Sequence, residues 1–272
     1  MAHDHQDRRV SRRRLITGIG SLGLGGLLTA GDPRAAGTLA DVPASAFDSD
    51  THAKAQALLS RAQTCKLTPS TKQGPYYFET GSVRSDLRED RQGVRLRLAL
   101  KVQDGGTCRP LPGAAVEVWH CDAGGLYSGA ETQSRDVLTG GDKVRVRPGT
   151  VFTDLTPSDR RRYLRGVQLA DRDGIVRFTT IWPGWYPGRT VHVHVMVMVE
   201  DQRALCTEIM FDEKLNSQVL ATPAYLGHQQ PRDTFNTNDP IFRDDMLAHV
   251  IKDGPGYLAA TVLAADHDEQ AA

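Results

Sequence analysis

Val94-Arg95-Leu96-Arg97-Leu98-Ala99-Leu100-Lys101-Val102 alternates apolar with mostly polar side chains over nine positions. Such a period of two is the pattern of a β-strand with one buried face. Asp104-Gly105-Gly106 then supplies turn chemistry that stops it. The same reading predicts strands at 114–120, 174–181 and 191–199, each bounded by Gly or Pro turns. No long amphipathic helix interrupts them, and one short helix is expected near His52–Gln63. These features predict an all-β fold: a β-sandwich core with long loops and a short N-terminal helix. Residues 129–165 are polar and irregular, so they are expected to loop over one end of the sandwich, where function is commonly carried.

The chain has 272 residues, with Lys+Arg and Asp+Glu both 33. That balance gives no reason to expect a nucleic-acid or membrane-surface partner. Ser11-Arg12-Arg13-Arg14-Leu15-Ile16 opens onto a glycine-punctuated apolar run ending at Ala30. A twin arginine before a modest apolar stretch reads as a leader for export of folded protein by the twin-arginine route. The run is too short and glycine-rich for a good membrane span, although an N-terminal anchor is the competing reading. Residues 1–46 are therefore taken as leader and linker, and 47–272 as one domain ending in a loop-rich tail. Of the four cysteines, none lies in a CxxC pair, which argues against a zinc knuckle. Cys65 and Cys108 flank a strand in polar loops and are the favoured disulfide pair, whereas Cys121 reads as a small buried residue.

Chemistry concentrates in Trp182-Pro183-Gly184-Trp185-Tyr186-Pro187-Gly188-Arg189-Thr190-Val191-His192-Val193-His194. On a strand, His192 and His194 project from one face, about 7 Å apart along the backbone, while the odd-numbered valines take the other. Two imidazoles so placed can reach one metal ion, and Tyr186 lies in a turn nearby. Trp119-His120-Cys121-Asp122-Ala123-Gly124-Gly125-Leu126-Tyr127-Ser128 brings a second tyrosine past a strand end. His-x-His alone is weak, and each tyrosine alone is more often a packed aromatic. His120 reads as structural, and His228, His249 and His267 as bystanders.

Together these blocks resemble the intradiol ring-cleavage dioxygenases, over roughly Leu67 to Phe211. The resemblance is carried by Thr68-Pro69, by Gly74-Pro75-Tyr76-Tyr77 and by the Trp119–Ser128 block. Gly166-Val167-Gln168 with 171–178, and the 183–194 string, complete it. It implies a single Fe(III) per chain held by Tyr127, Tyr186, His192 and His194, a hard anionic donor set. It also implies that a small aromatic diol and O2 are the substrates. The ring would open between its hydroxylated carbons to a muconate-type diacid, with Tyr186 leaving the metal as the diol binds. Arg189 matches the family arginine that stabilises charge on the ring. Tyr76, Tyr77, Gln168, Trp185 and Glu208 are candidates for the substrate pocket. Glu208 departs from the family pattern: Thr207-Glu208-Ile209-Met210-Phe211 stands where the family has Thr-Gln-x-x-Phe. The long helical dimerisation segment of catechol dioxygenases is missing, although a homo-oligomer remains open. Two other classes compete: a hydrolytic metalloenzyme using His192, His194 and Asp122, and a non-enzymatic β-sandwich binding module.

Overall fold

The computed structural model describes residues 47–62, 65–140, 152–228 and 230–266. The expected leader at 1–46 and His267 lie outside them. Two four-stranded sheets face each other, in the orders β4-β1-β8-β7 and β3-β2-β5-β6. The strands are β1 (Arg95–Asp104), β2 (Ala115–Trp119), β3 (Arg165–Leu169), β4 (Ile175–Ile181), β5 (His192–Val199), β6 (Gln202–Met210), β7 (His249–Asp253) and β8 (Gly256–Ala265). All pairings are antiparallel except β1 with β8. The all-β sandwich expected from the alternation is what forms.

Leu96, Leu98, Leu100 and Val102 of β1 meet Val116 and Val118 of β2 and Val193, Val195 and Val197 of β5 in the space between the sheets. Each is essentially inaccessible to water, and burial of such a side chain stabilises the fold by roughly 1.5–3 kcal/mol. Ala99, the apolar residue that breaks the polar rank of β1, lies on the outer face of its sheet. There it packs with Leu258, Ala260 and Val262 against helix α1 (Ser49–Arg61). The Asp48 carboxylate caps that helix by accepting from the Thr51 N–H at 2.8 Å.

Two expectations are corrected. The region read as loops contains helix α2 (Glu131–Leu138) and the start of β3; among its residues 141–151 are not described. The tail read as loop-rich carries β7 and β8, and β8 lies between β1 and β7 inside a sheet. A further helix, α3 (Glu213–Leu220), starts at Asp212, whose carboxylate accepts from the N–H groups of Lys214 and Leu215. No helix of the described residues is long and apolar enough to cross a membrane. Cys65 and Cys108 are joined as a disulfide with Cα atoms 5.5 Å apart, and Cys121 is free and buried.

Candidate metal centre

With the valines of β5 turned inward, His192 and His194 emerge on the outer face of the β3-β2-β5-β6 sheet. Two loops bring the tyrosines to them. The 122–127 loop is shaped by Asp122, whose Oδ1 accepts from the N–H groups of Gly124 and Leu126 at 3.0 and 2.9 Å. It locks onto the 182–186 loop through the Gly184 N–H, which donates to the Asp122 carbonyl at 3.1 Å. Gly125 has φ +85°, and a Cβ there would stand 2.4 Å from the Trp185 carbonyl oxygen, so only glycine allows this approach. Asp122 is therefore a loop-shaping residue and not the third ligand of a hydrolytic site.

The result is a buried cluster of four donors. Tyr186 Oη is 3.1 Å and Tyr127 Oη 3.4 Å from His192 Nε2, and His194 Nε2 is 3.1 Å from the same atom. None of the four residues exceeds 3% exposure. His192 Nδ1 lies 2.7 Å from the Thr190 carbonyl oxygen, which can only accept, so Nδ1 carries the proton and Nε2 presents a bare lone pair. His194 Nδ1 makes no hydrogen bond, and the charged group facing it is Glu208 Oε1 at 3.5 Å. A lone pair facing a carboxylate would be repelled, so here too Nε2 is the bare nitrogen. Two imidazole lone pairs 3.1 Å apart repel each other unless a cation lies between them. Donors each about 2.0–2.1 Å from one ion and at right angles to each other stand about 3 Å apart, which is the spacing observed.

Electrostatics point the same way. Burial pushes both imidazoles down, with further repulsion from Arg189, so they are neutral as ligands must be. Burial pushes both phenols well above the ordinary range, partly offset at Tyr186 by Arg189. Ionising them therefore requires a strong local positive charge, such as a bound cation supplies.

Arg189 is wholly engaged by protein carboxylates. Its Nε donates to Asp239 Oδ2 at 3.0 Å, its Nη1 to Glu208 Oε1 at 3.1 Å and its Nη2 to Glu208 Oε2. Burial alone would raise the Glu208 carboxyl, but Arg189 outweighs it and holds the group below the usual range. Glu208 pairs in register with His194 on the neighbouring strand. It therefore backs the centre through Arg189 and His194. His192, His194 and Glu208 are also the metal-capable His/Cys/Asp/Glu group among the described residues, but Glu208 faces the Nδ1 side of His194, away from the bare Nε2 atoms.

The remaining pocket candidates separate. Tyr76 stacks on Tyr127 with centroids 4.6 Å apart and meets Tyr186 edge-on at 6.2 Å, so it belongs to the centre. Tyr77 is fully buried, packed on Trp119, and donates to Glu117 Oε2 at 3.0 Å. Gln168 is opposite Val116, a core residue, and so emerges on the face away from the histidines. Trp185 stacks on His228 at 4.3 Å, and both line a cavity of about 230 Å³ with Leu126, Arg135 and Leu138. Tyr77, Gln168 and Trp185 thus do not join the four donors, and His228 packs on Trp185 away from them. His120 is structural as expected, held between the Cys121 carbonyl and Thr180 Oγ1.

Trp119 was missed. Its ring lies flat on His194, centroids 4.9 Å apart and 3° from parallel. The signal was available: Val116 and Val118 face the core, so Glu117 and Trp119 share the histidine face.

The sandwich thus carries a buried pair of imidazoles and a pair of phenols that converge on one outer face. The sequence model of the family described as Dioxygenase matches residues 72–225. The chain belongs to the intradiol ring-cleavage dioxygenase family. It is 31% identical to an intradiol ring-cleavage dioxygenase from Tetranychus urticae, covering 76% of this chain and 98% of that one with a TM-score of 0.64. It is 26% identical to the dioxygenase domain of a dioxygenase carbohydrate-binding protein fusion from Streptomyces sp. SirexAA-E, covering 74% and 99% with a TM-score of 0.50. A catechol 1,2-dioxygenase of Pseudomonas sp. (strain EST1001) is 25% identical over 190 residues, 61% of this chain and 54% of that protein. The chain spans about half the length of the curated relatives it matches.

Proposed function

We propose that this protein is a non-haem Fe(III) dioxygenase that opens catechol-type rings between their hydroxylated carbons, incorporating both atoms of O2. The observation that carries the reading is the meeting of two bare imidazole nitrogens and two phenols within 3.4 Å of His192 Nε2. Tyr127, Tyr186, His192 and His194 would hold the iron; phenolate oxygens favour a ferric ion, whereas zinc prefers imidazole with thiolate or carboxylate. A ferric ion bound there would keep both phenols ionised and draw electron density from a chelated catecholate.

The chain's own residues account for the rest. Tyr186 would be the base: burial favours its protonated phenol, so as a phenolate it would take a catechol hydroxyl proton at its Oη. Neutral His192 and His194 stay in place, fixed from behind by the Thr190 carbonyl and by the stacked Trp119 ring. Tyr76 offers an aromatic face beside both phenols. Arg189, pinned by Glu208 and Asp239, places its charge beside Tyr186 without needing to touch the ring.

Export by the twin-arginine route is part of the same proposal. It is supported by Arg12-Arg13 and by a disulfide suited to an oxidising compartment. Turnover of catechol under isotopically labelled O2 tests the activity. Both labelled atoms are expected in a ring-opened diacid; a hydrolysed product without O2 uptake would defeat it.

A further inference from the structure

We propose that Arg165 is a positioning residue of the metal centre, supplying the positive charge that a Tyr127 phenolate meets inside the protein. This rests on the reading of Tyr127 as a ligand. Arg165 opens β3 opposite Trp119, on the histidine face, and is completely buried. Its Nε donates to Ser128 Oγ at 3.0 Å and to the Ser128 carbonyl at 3.2 Å. Its Nη2 donates to the Tyr76 carbonyl at 2.8 Å and the Ser128 carbonyl at 3.1 Å. Its Nη1 is buried without a hydrogen-bond partner among the described residues. Its Cζ lies 4.2 Å from the Phe78 ring centroid and 5.8 Å from that of Tyr127, within cation–π range.

No carboxylate of the described residues forms an ion pair with this guanidinium. Glu117, on the same face, spends its oxygens on Tyr77 Oη and on the N–H and hydroxyl of Thr80. A buried cation with only neutral hydrogen-bond partners is costly, and clipping two carbonyls does not require one. The group on this side able to become an anion when a metal binds is Tyr127. Arg165 is moreover tethered to Ser128, the residue after Tyr127, so that the two move together.

The opposite side of the centre is built differently. Arg189, beside Tyr186, is matched by two carboxylates. Arg165 therefore stands beside Tyr127 with no ion pair among the described residues and only the field of Glu117 to balance it, whereas Arg189 beside Tyr186 is held in two ion pairs.

The test compares Arg165→Gln, which keeps N–H donors for the carbonyls but loses the charge, with Arg165→Lys, which keeps the charge. Readouts are the tyrosinate-to-iron visible band and iron retention against a chelator, normalised to folded protein. Arg165→Gln is expected to move the band to longer wavelength, because an unopposed phenolate gives up electron density more easily. It should also weaken iron retention about 10–100-fold, the usual effect of losing a partner of a ligand; Arg165→Lys should recover most of both. A Gln variant with the parental band and retention, or a Lys variant as deficient as Gln, overturns the inference. If the Gln variant does not fold, the Lys variant decides: parental values support the assignment, and a shifted band with weak retention overturns it. A parent protein without a visible band would instead defeat the ferric reading, and this inference with it.

Discussion

Replacing Arg189 by Met should expose how tightly the ion cluster behind the centre is balanced. The side chains of Arg189, Glu208 and Asp239 are 3%, 1% and 0% exposed, so solvent does not screen them. Without the guanidinium, Asp239 keeps the N–H groups of Thr190 at 2.7 Å and Ile241 at 2.8 Å, but Glu208 keeps only His194 Nδ1 at 3.5 Å. The loss therefore falls mainly on Glu208. Breaking a buried pair in this way costs about 3–5 kcal/mol. Glu208→Gln should cost only about 1–2 kcal/mol, since Arg189 retains Asp239 and an amide needs no counter-charge. The double variant should then be more stable than the two costs added together imply, by about 2 kcal/mol or more. Urea unfolding of the metal-free proteins measures this, with iron binding kept out of the comparison. The pH dependence has a definite sign. In the parent, Glu208 titrates below its ordinary value, so its contribution is present above that value and lost as pH falls through the lower one. In Arg189→Met burial, which raises the group, is opposed only by His192, so the deficit should shrink as pH falls and Glu208 takes up a proton. Additive costs, or an Arg189→Met protein within 1 kcal/mol of the parent, would refute the account.

Other outcomes follow from the same geometry. Burial pushes His120 from the ordinary 6.5 down to about 4; the unfolded chain gains this proton first, so stability should fall by about 3 kcal/mol between pH 6.5 and 4. His120→Gln should flatten that part of the stability profile, and an unchanged slope would remove His120 as its cause. Tyr186→Phe should keep more iron than His192→Ala or His194→Ala yet lose turnover; full activity in Tyr186→Phe would take its phenol out of the mechanism. Arg12→Lys together with Arg13→Lys should hold the protein in the cytoplasm, because the export receptor reads guanidinium geometry. Fractionation showing unchanged export would point to another route.

The sequence made the central strands legible where one face is buried and the other is not. β1 and β5 carry that contrast residue by residue, and their parity put His192 and His194 on one face. It failed for β8, Gly256–Ala265, which lies between two strands with the core on one side and α1 on the other. A strand covered on both faces loses its alternation, and its small alanines add no β signal. β6 begins with the exposed Gln202 and Arg203, which hide the buried half that follows. At the site, local motifs named the four side chains that meet at His192 Nε2, since each lies in a short string. Contacts made across the fold stayed hidden: Asp239 reaches Arg189 from 50 positions away. The Gln168 assignment failed on parity, because membership in a motif does not say to which side a strand residue points. Glu208, a departure from the family pattern when read along the chain, is paired across the fold with Arg189.

The central claim is that four converging donors hold a ferric ion through two phenolates. Elemental analysis of the purified protein, taken with its visible spectrum, tests this most directly. The account predicts about one iron per chain and a tyrosinate-to-iron charge-transfer band that changes when catechol is added. Zinc in place of iron, or bound iron without a visible band, would contradict it.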